Sequence, residues 1–412
     1  MVSRGLLTVV VLLLVAAAGC SGLGDDPDVP TVTPAPVPED ETPDQVVTTE
    51  VTTEPAATFT PENPSAVGPL NMRDQYSTQV ALWRLRQLLA VDVAEPTVVR
   101  RLGPMIDPGP NPVSIERSVV ESLGPDVSAS GGTLYGRVDT GNATIHLVKG
   151  MHDATLLEYN LAYFHAQLIQ DRLGWTDAIS VHENGTLDQR LVAFALHRGG
   201  AAFAADSYAE RYSLSIDEPV REWEFSWLDS PWLARSALDA GYDHARGNVN
   251  PPSALGRLYT DPPNTTEQLL HGFSTETEPP RPLDVTVEDG SGWNRTATER
   301  FGELGIRALL STRIDGEEAD RAARGWGNDR ILAFENETDS GVVWTTTWDQ
   351  PAYADQFATG FEQYAAAGEP PQASVLRRPD SETVVVAAGS PAFVDATTIG
   401  AENGSVRVSI GE

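Results

Sequence analysis

Apolar residues recur at helical spacing over 79–90, where Val80, Leu82, Leu85, Leu88 and Leu89 fall on one face. A Pro- and Gly-rich stretch at 103–113 reads as a loop. Segments 133–138 and 143–148 then alternate on either side of Thr140-Gly141-Asn142, the pattern of a β-hairpin. Asp153 offers an N-cap to a helix running to about residue 173. On that helix Leu157, Leu161, Phe164 and Leu168 form an apolar stripe. Leu156, Asn160, Tyr163, Gln167 and Gln170 form an adjoining, more polar one. A second helix is expected over 188–212, interrupted at Gly199-Gly200.

Beyond residue 298 the pattern changes. Helices are expected near 300–310, 317–324 and 353–366, with strands at 331–335, 342–348 and 383–388. The fold class is α+β. The globular part divides at 67–298 and 299–412, the second region packing on the first.

Residues 1–66 show neither period. Arg4 precedes the apolar run 6–18, and Ala17-Ala18-Gly19-Cys20 resembles a lipobox. Residues 1–19 therefore read as a lipoprotein signal peptide and Cys20 as the lipidated residue. The apolar run is short of the roughly 20 residues a membrane span takes. Cys20 is the single cysteine and has no disulfide partner; no Arg-Arg pair favours a twin-arginine route. Residues 20–66 are rich in Pro, Thr, Asp and Glu and contain neither Lys nor Arg. Such a stretch buries little apolar surface and repels itself, so it reads as an extended tether. The expected location is the extracellular face of the cell membrane, held by the lipid.

Charge narrows the setting. The net charge is −31 and, among 28 basic residues, only Lys149 is a lysine. A carboxylate-rich surface nearly free of lysine resembles proteins of halophilic archaea. It argues against nucleic acid as a partner, since phosphates would be repelled. Asn-x-Ser/Thr acceptors at Asn142, Asn184, Asn264, Asn294, Asn336 and Asn403 suit an exported, N-glycosylated chain. The acidic runs 25–28 and 335–339 lack the spaced oxygen ligands of a calcium loop and read as solvated faces.

Residues 161–171 read Leu-Ala-Tyr-Phe-His-Ala-Gln-Leu-Ile-Gln-Asp. A zincin helix carries His-Glu-x-x-His, because an i,i+4 pair converges on one metal with a glutamate base beside it. Set on that pattern, the metal positions are Tyr163 and Gln167 and the base position is Phe164. His165 is out of phase with them and reads as a packed imidazole. In Ala195-Leu196-His197-Arg198-Gly199-Gly200, Arg198 stands where a gluzincin's second helix supplies a glutamate ligand. A guanidinium cannot bind a cation and carries the wrong charge. Further segments fit the same group: Pro262-Pro263-Asn264-Thr265-Thr266-Glu267-Gln268-Leu269-Leu270-His271, then Glu303-Leu304-Gly305, then Gly325-Trp326-Gly327-Asn328-Asp329-Arg330 as a turn before a strand. Together they resemble a haloarchaeal surface-lipoprotein family, with Haloferax members, that carries a degenerate gluzincin-like domain.

The resemblance implies a zincin-like domain with a C-terminal α+β extension, no cofactor, no bound zinc and no catalytic residue. Its role would be binding or scaffolding in the envelope, toward an envelope protein, a peptide or an anionic ligand. Tyr163, Gln167 and Arg198 suit a carboxylate. Alternatively Arg198 pairs with Glu158 or Asp171 and fills the former metal cavity, the reading favoured from sequence. His271 reads as a cap. The rival functions are a hydrolase or metallopeptidase with a non-standard site, and a solute-binding lipoprotein.

Overall fold

The computed structural model describes residues 75–101, 113–125, 136–148, 154–217, 230–273, 276–288, 292–368, 373–402 and 405–411. All belong to one compact unit, Phe59–Glu412. The signal peptide, Cys20, the whole tether, the 103–113 loop apart from Val113, the Asp153 cap and Asn403 lie outside the described residues. Among the described residues no helix is long and apolar enough to cross a membrane.

The first half is built round one helix. Helix α1 (Gln75–Leu89) and strand β1 (Thr97–Arg101) precede α2 (Arg117–Leu123). The hairpin β2 (Gly136–Asp139) and β3 (Thr144–Val148) pairs antiparallel through Gly136↔Leu147 and Asp139↔Thr144, as the alternation predicts. Strand β1 joins β3 in parallel, leaving β2 at the sheet edge. Helix α3 (Ala154–Arg172) is buried on every side from Glu158 to Gln170, rather than along one stripe, because α1, α5 and the hairpin all pack on it. Turns at Thr176–Ile179 and Ser180–Glu183 lead to α4 (Leu187–Phe194), a π-helical turn (Ala195–Gly199) and α5 (Gly200–Arg211).

The expected interruption at Gly199-Gly200 is a change of helical pitch, not a break. Its cause is a crossing with α6 (Pro231–Asn248), which the sequence pattern does not announce. A Cβ at Gly199 would lie 2.3 Å from the Gly241 carbonyl carbon, and one at Gly241 would lie 1.9 Å from the Ala195 oxygen. Two backbones in contact exclude any side chain there.

A buried ion pair fastens α1 to α3: Arg84 Nη1 lies 3.1 Å from Glu158 Oε1, and Tyr208 on α5 donates to the same oxygen at 2.6 Å. Glu158 Oε1 is thus shared between Arg84 and Tyr208.

After the 3₁₀ segment Pro252–Tyr259 come α7 (Thr266–His271), β4 (Val285–Glu288), β5 (Asn294–Glu299), α8 (Gly302–Leu310) and α9 (Gly316–Ala323). Then follow β6 (Trp326–Glu335), β7 (Ser340–Trp348), α10 (Pro351–Ala367), β8 (Ala373–Arg377), β9 (Thr383–Gly389), α11 (Pro391–Ala396), β10 (Thr397–Glu402) and β11 (Ser405–Ile410). Strand β5 runs through the boundary expected at 298, so the C-terminal sheet begins before it. That sheet is antiparallel in the order β5-β6-β7-β9-β8. Its period-2 alternation divides two cores. Ile331, Ala333, Trp344, Val384 and Val386 face the main core shared with the first half. Leu332, Phe334, Val343 and Val385 face a second core closed by the sheet β10-β11-β4.

The segment 325–330, expected as a turn, is mostly strand: Gly325 (φ +70°) makes the turn and a bulge follows at Trp326/Asn328. The bulge points Asp329 inward, where it is 3 % exposed. Its carboxylate accepts from Phe301 N and Gly302 N at 2.9 Å each, Trp326 Nε1 at 2.9 Å and Trp344 Nε1 at 3.0 Å. Beside it, Asp188 accepts from Thr266 N (2.8 Å) and Oγ1 (2.7 Å) and faces Arg300 Nε at 3.3 Å. Gly302 (φ +71°) fits between them; a Cβ would stand 1.9 Å from Asp188 Oδ1.

Asp329→Leu orphans four buried donors at about 1–3 kcal/mol each, partly relieved by relaxation. Denaturant unfolding at fixed high salt is expected to lose at least about 3 kcal/mol, and a loss under about 1 kcal/mol would show that the carboxylate does not hold these elements.

Candidate functional site

The cleft lies where α3, the π-helical turn and the edge strand β2 meet. It encloses about 690 Å³. Gln167 and Asp171 of α3 form its floor, Arg137 to Thr140 of the hairpin form one wall, and Phe194, His197 and Arg198 form another. A π-helical turn inserts one residue into the helical repeat, and such turns are frequent at functional sites. Here it carries both His197 and Arg198 to the cleft.

Two of the three ligand positions converge. Arg198 Nη1 donates to Gln167 Oε1 at 2.5 Å, and the guanidinium stands 6.0 Å from the Phe194 ring centre. Tyr163 is one helical turn earlier, wholly buried behind the cleft, with its ring tilted against Phe164 at 5.5 Å. Phe164, at the base position, packs on the hairpin: a Cβ on Gly136 would stand 2.6 Å from its ring. The guanidinium holds the Gln167 amide oxygen, and a cleft stays open beside it.

That bond fixes the amide's orientation. With Oε1 engaged, Gln167 Nε2 is buried and has no hydrogen-bond partner among the described residues. Gln170, 0 % exposed on the same helix, has both amide atoms unpartnered. A fully buried helix that keeps Asn160, His165, Gln167 and Gln170 is unusual, because an unpaired buried amide costs about 1–3 kcal/mol.

Burial holds the His165 and His197 imidazoles neutral. Burial pushes His165 down to about 4, against a weak pull from the Leu161 carbonyl. Burial, reinforced by the Arg198 charge, pushes His197 down to about 3. His271 ends α7, where its Nε2 lies 2.9 Å from Glu303 Oε2. It is bound to a neighbouring helix rather than acting as a simple cap.

For zinc, the convergent set is an amide, a guanidinium and a buried phenol. Zinc wants about four donors from His, Cys or carboxylate near 2.0–2.3 Å. The acids on the cleft wall, Asp139, Asp171 and Glu183, are spread over three different segments. The donor set does not fit the metal. It fits an oxygen-bearing ligand instead, with Gln167 Nε2 as a donor and Arg137 and Arg198 supplying positive charge.

Of the acceptor asparagines, Asn142, Asn184, Asn264 and Asn294 are exposed, and Asn336 is half-buried, its side-chain oxygen taken by Thr338 N and Asp339 N. Asn184 lies on the cleft wall.

The segments 262–271, 303–305 and 325–330 do not reach the cleft. They meet one another in the buried carboxylate network of Asp188, Thr266, Glu303 and Asp329. Sequence spacing hides this, because the partners are 27 to 78 residues apart.

Residues 290–412 match the family model described as "Domain of unknown function (DUF8575)". The match starts just before β5 and takes in the five-stranded sheet and β10-β11. No curated protein and no solved structure matches the chain.

The neutral imidazoles give a pH signature. A group whose folded pKa is depressed contributes stability above its unfolded value, near 6.5 for histidine, and loses it as pH falls toward the folded value. Relative to the parent, His165→Leu is expected to flatten the fall in melting temperature between about pH 6.5 and 4. Parallel pH profiles for the two proteins would show that His165 protonates as freely folded as unfolded.

Proposed function

We propose that this chain is a lipid-anchored surface protein of a halophilic archaeon whose zincin-like domain is a binding module, not a peptidase. What supports the reading is the arrangement in the cleft: the positions where a gluzincin would bind zinc hold Gln167 and Arg198, bonded to each other at 2.5 Å, and leave a buried amide donor unpartnered. An unpaired buried donor is costly and is best explained by a ligand atom or an ordered water that takes it.

The ligand class follows from the wall. Among the described residues strand β2 stands at the edge of its sheet, the place where an extended segment adds to a sheet. A peptide lying there would bring a carboxylate, from its C-terminus or an acidic side chain, toward Arg198 and Gln167. A charge-assisted bond to a guanidinium is about twice as strong as a neutral one. The cleft lining balances three arginines with Asp139, Asp171 and Glu183, so on a chain of net charge −31 it is close to neutral, and the attraction for an anion is local to Arg198 and Gln167. The acidic tether then presents the module away from the membrane, through Cys20.

Two measurements test this. Peptides with free C-terminal carboxylates, or with acidic side chains, are expected to bind in high salt; Arg198→Met weakens them at least tenfold, which is about 1.4 kcal/mol. Capped, uncharged peptides that bind the parent and the variant equally would contradict the anion role. Separately, Cys20→Ser is expected to move the protein from the membrane fraction to the medium. Retention on the membrane would contradict the lipid anchor.

A further inference from the structure

A second cluster lies outside the cleft, where α7, the segment after it and the end of β7 come together. Glu267, Glu278 and Asp349 each place a carboxylate oxygen within 4.8 Å of the other two. Oxygens bound to one calcium ion at about 2.4 Å are at most about 4.8 Å apart, so the spacing suits a shared ion. The donors are all carboxylate oxygens, the preference of a hard cation rather than of zinc or copper.

Acidic groups often gather on such a surface without an ion, so the spacing alone decides nothing. Glu267 supplies the separate observation. It is 5 % exposed, and among the described residues no donor or cation bonds its carboxylate. Its acidic neighbours are all provided for. Asp188 has Arg300 and Thr266, Glu303 has His271 and Arg307, and Asp329 has four N–H groups. The nearby Arg281 is committed to Glu382 at 2.7 Å and to the Trp348 carbonyl. A buried carboxylate left without a counter-charge is costly unless it is neutralised or ligates a cation.

We infer that Glu267, Glu278 and Asp349 form a binding site for one hard divalent cation, calcium being the best fit. The ion would tie α7 and the segment that follows it to the end of β7, which joins the first half of the fold to the C-terminal sheet. Glu267 is the inner ligand, while Glu278 and Asp349 lie on the solvent side and give the ion a path. Waters complete the shell, since three carboxylates provide fewer than the six to eight oxygens calcium takes.

The test is calorimetric titration of the chelator-treated full-length protein with calcium chloride in high-salt buffer, alongside thermal unfolding. The expected result is one saturable calcium site and a rise in melting temperature on calcium addition. Glu267→Gln and Asp349→Asn are each expected to weaken binding at least tenfold and remove the rise. Both variants keep side-chain size, and Asp349→Asn, at the solvent side, supports the result if the buried substitution alone disturbs folding. Absence of saturable binding in the parent would overturn the inference. So would parental affinity in both variants, which would assign the calcium to the acidic surface at large. Neither outcome bears on the Arg198 cleft, which shares no residue with this site.

Discussion

The carboxylate of Asp329, packed beside Asp188, is the constraint on which the junction of α8, β6 and β7 depends. Four N–H donors from the start of α8, from β6 and from β7 end on its two oxygens. Burial nonetheless raises the carboxyl to about 6, ahead of the opposing pull of those donors. Asp188, next to it, is also raised by burial and is opposed first by Arg300. Two acids packed this closely are held by donors from the start of α8, from β6 and β7 on Asp329, and from α7 and Arg300 on Asp188. An incomplete set would leave a buried charge unmatched. Gly302 is required at the junction because no side chain fits between the two carboxylates.

This lock accounts for the segments 262–271, 303–305 and 325–330, which meet one another away from the cleft. Thr266, Glu303 and Asp329 each have a structural occupation. The cleft has the reverse character. Its lining mixes polar with apolar side chains, Gln167 Nε2 is buried without a partner among the described residues, and its helix holds buried amides that a purely structural helix would shed. Glu267 belongs to the first group by position and to the second by its lack of partners. It is pushed up to about 9, chiefly by burial and then by the charges of Glu303 and Asp349.

Much of the fold is legible in sequence where periodicity is strong. The hairpin, α3 and the strands β6, β7 and β9 appear where alternation or helical spacing places them, because their faces pack against a core that rewards the pattern. Other elements escape. Helix α6 is rich in Arg, Asp and Gly, and its packing depends on Gly241 meeting the α4–α5 backbone, which no periodicity records. Strands β10 and β11 are short and cover a small second core. At the site, Gln167 and Arg198 are readable from a family pattern. The π-helical turn that brings Arg198 across to Gln167 is not, because Gly199-Gly200 signals a break and the crossing with Gly241 converts it into a change of pitch. The seat of Glu267 likewise needs three segments from distant parts of the chain.

The central proposal is that Tyr163, Gln167 and Arg198, at positions that resemble the ligand positions of a gluzincin, hold no metal. Elemental analysis of the protein purified in high salt without chelators tests it most directly. The account predicts zinc far below one atom per chain in a protein that unfolds cooperatively. One tightly held zinc per chain, lost together with any peptidase activity on chelation, would contradict it.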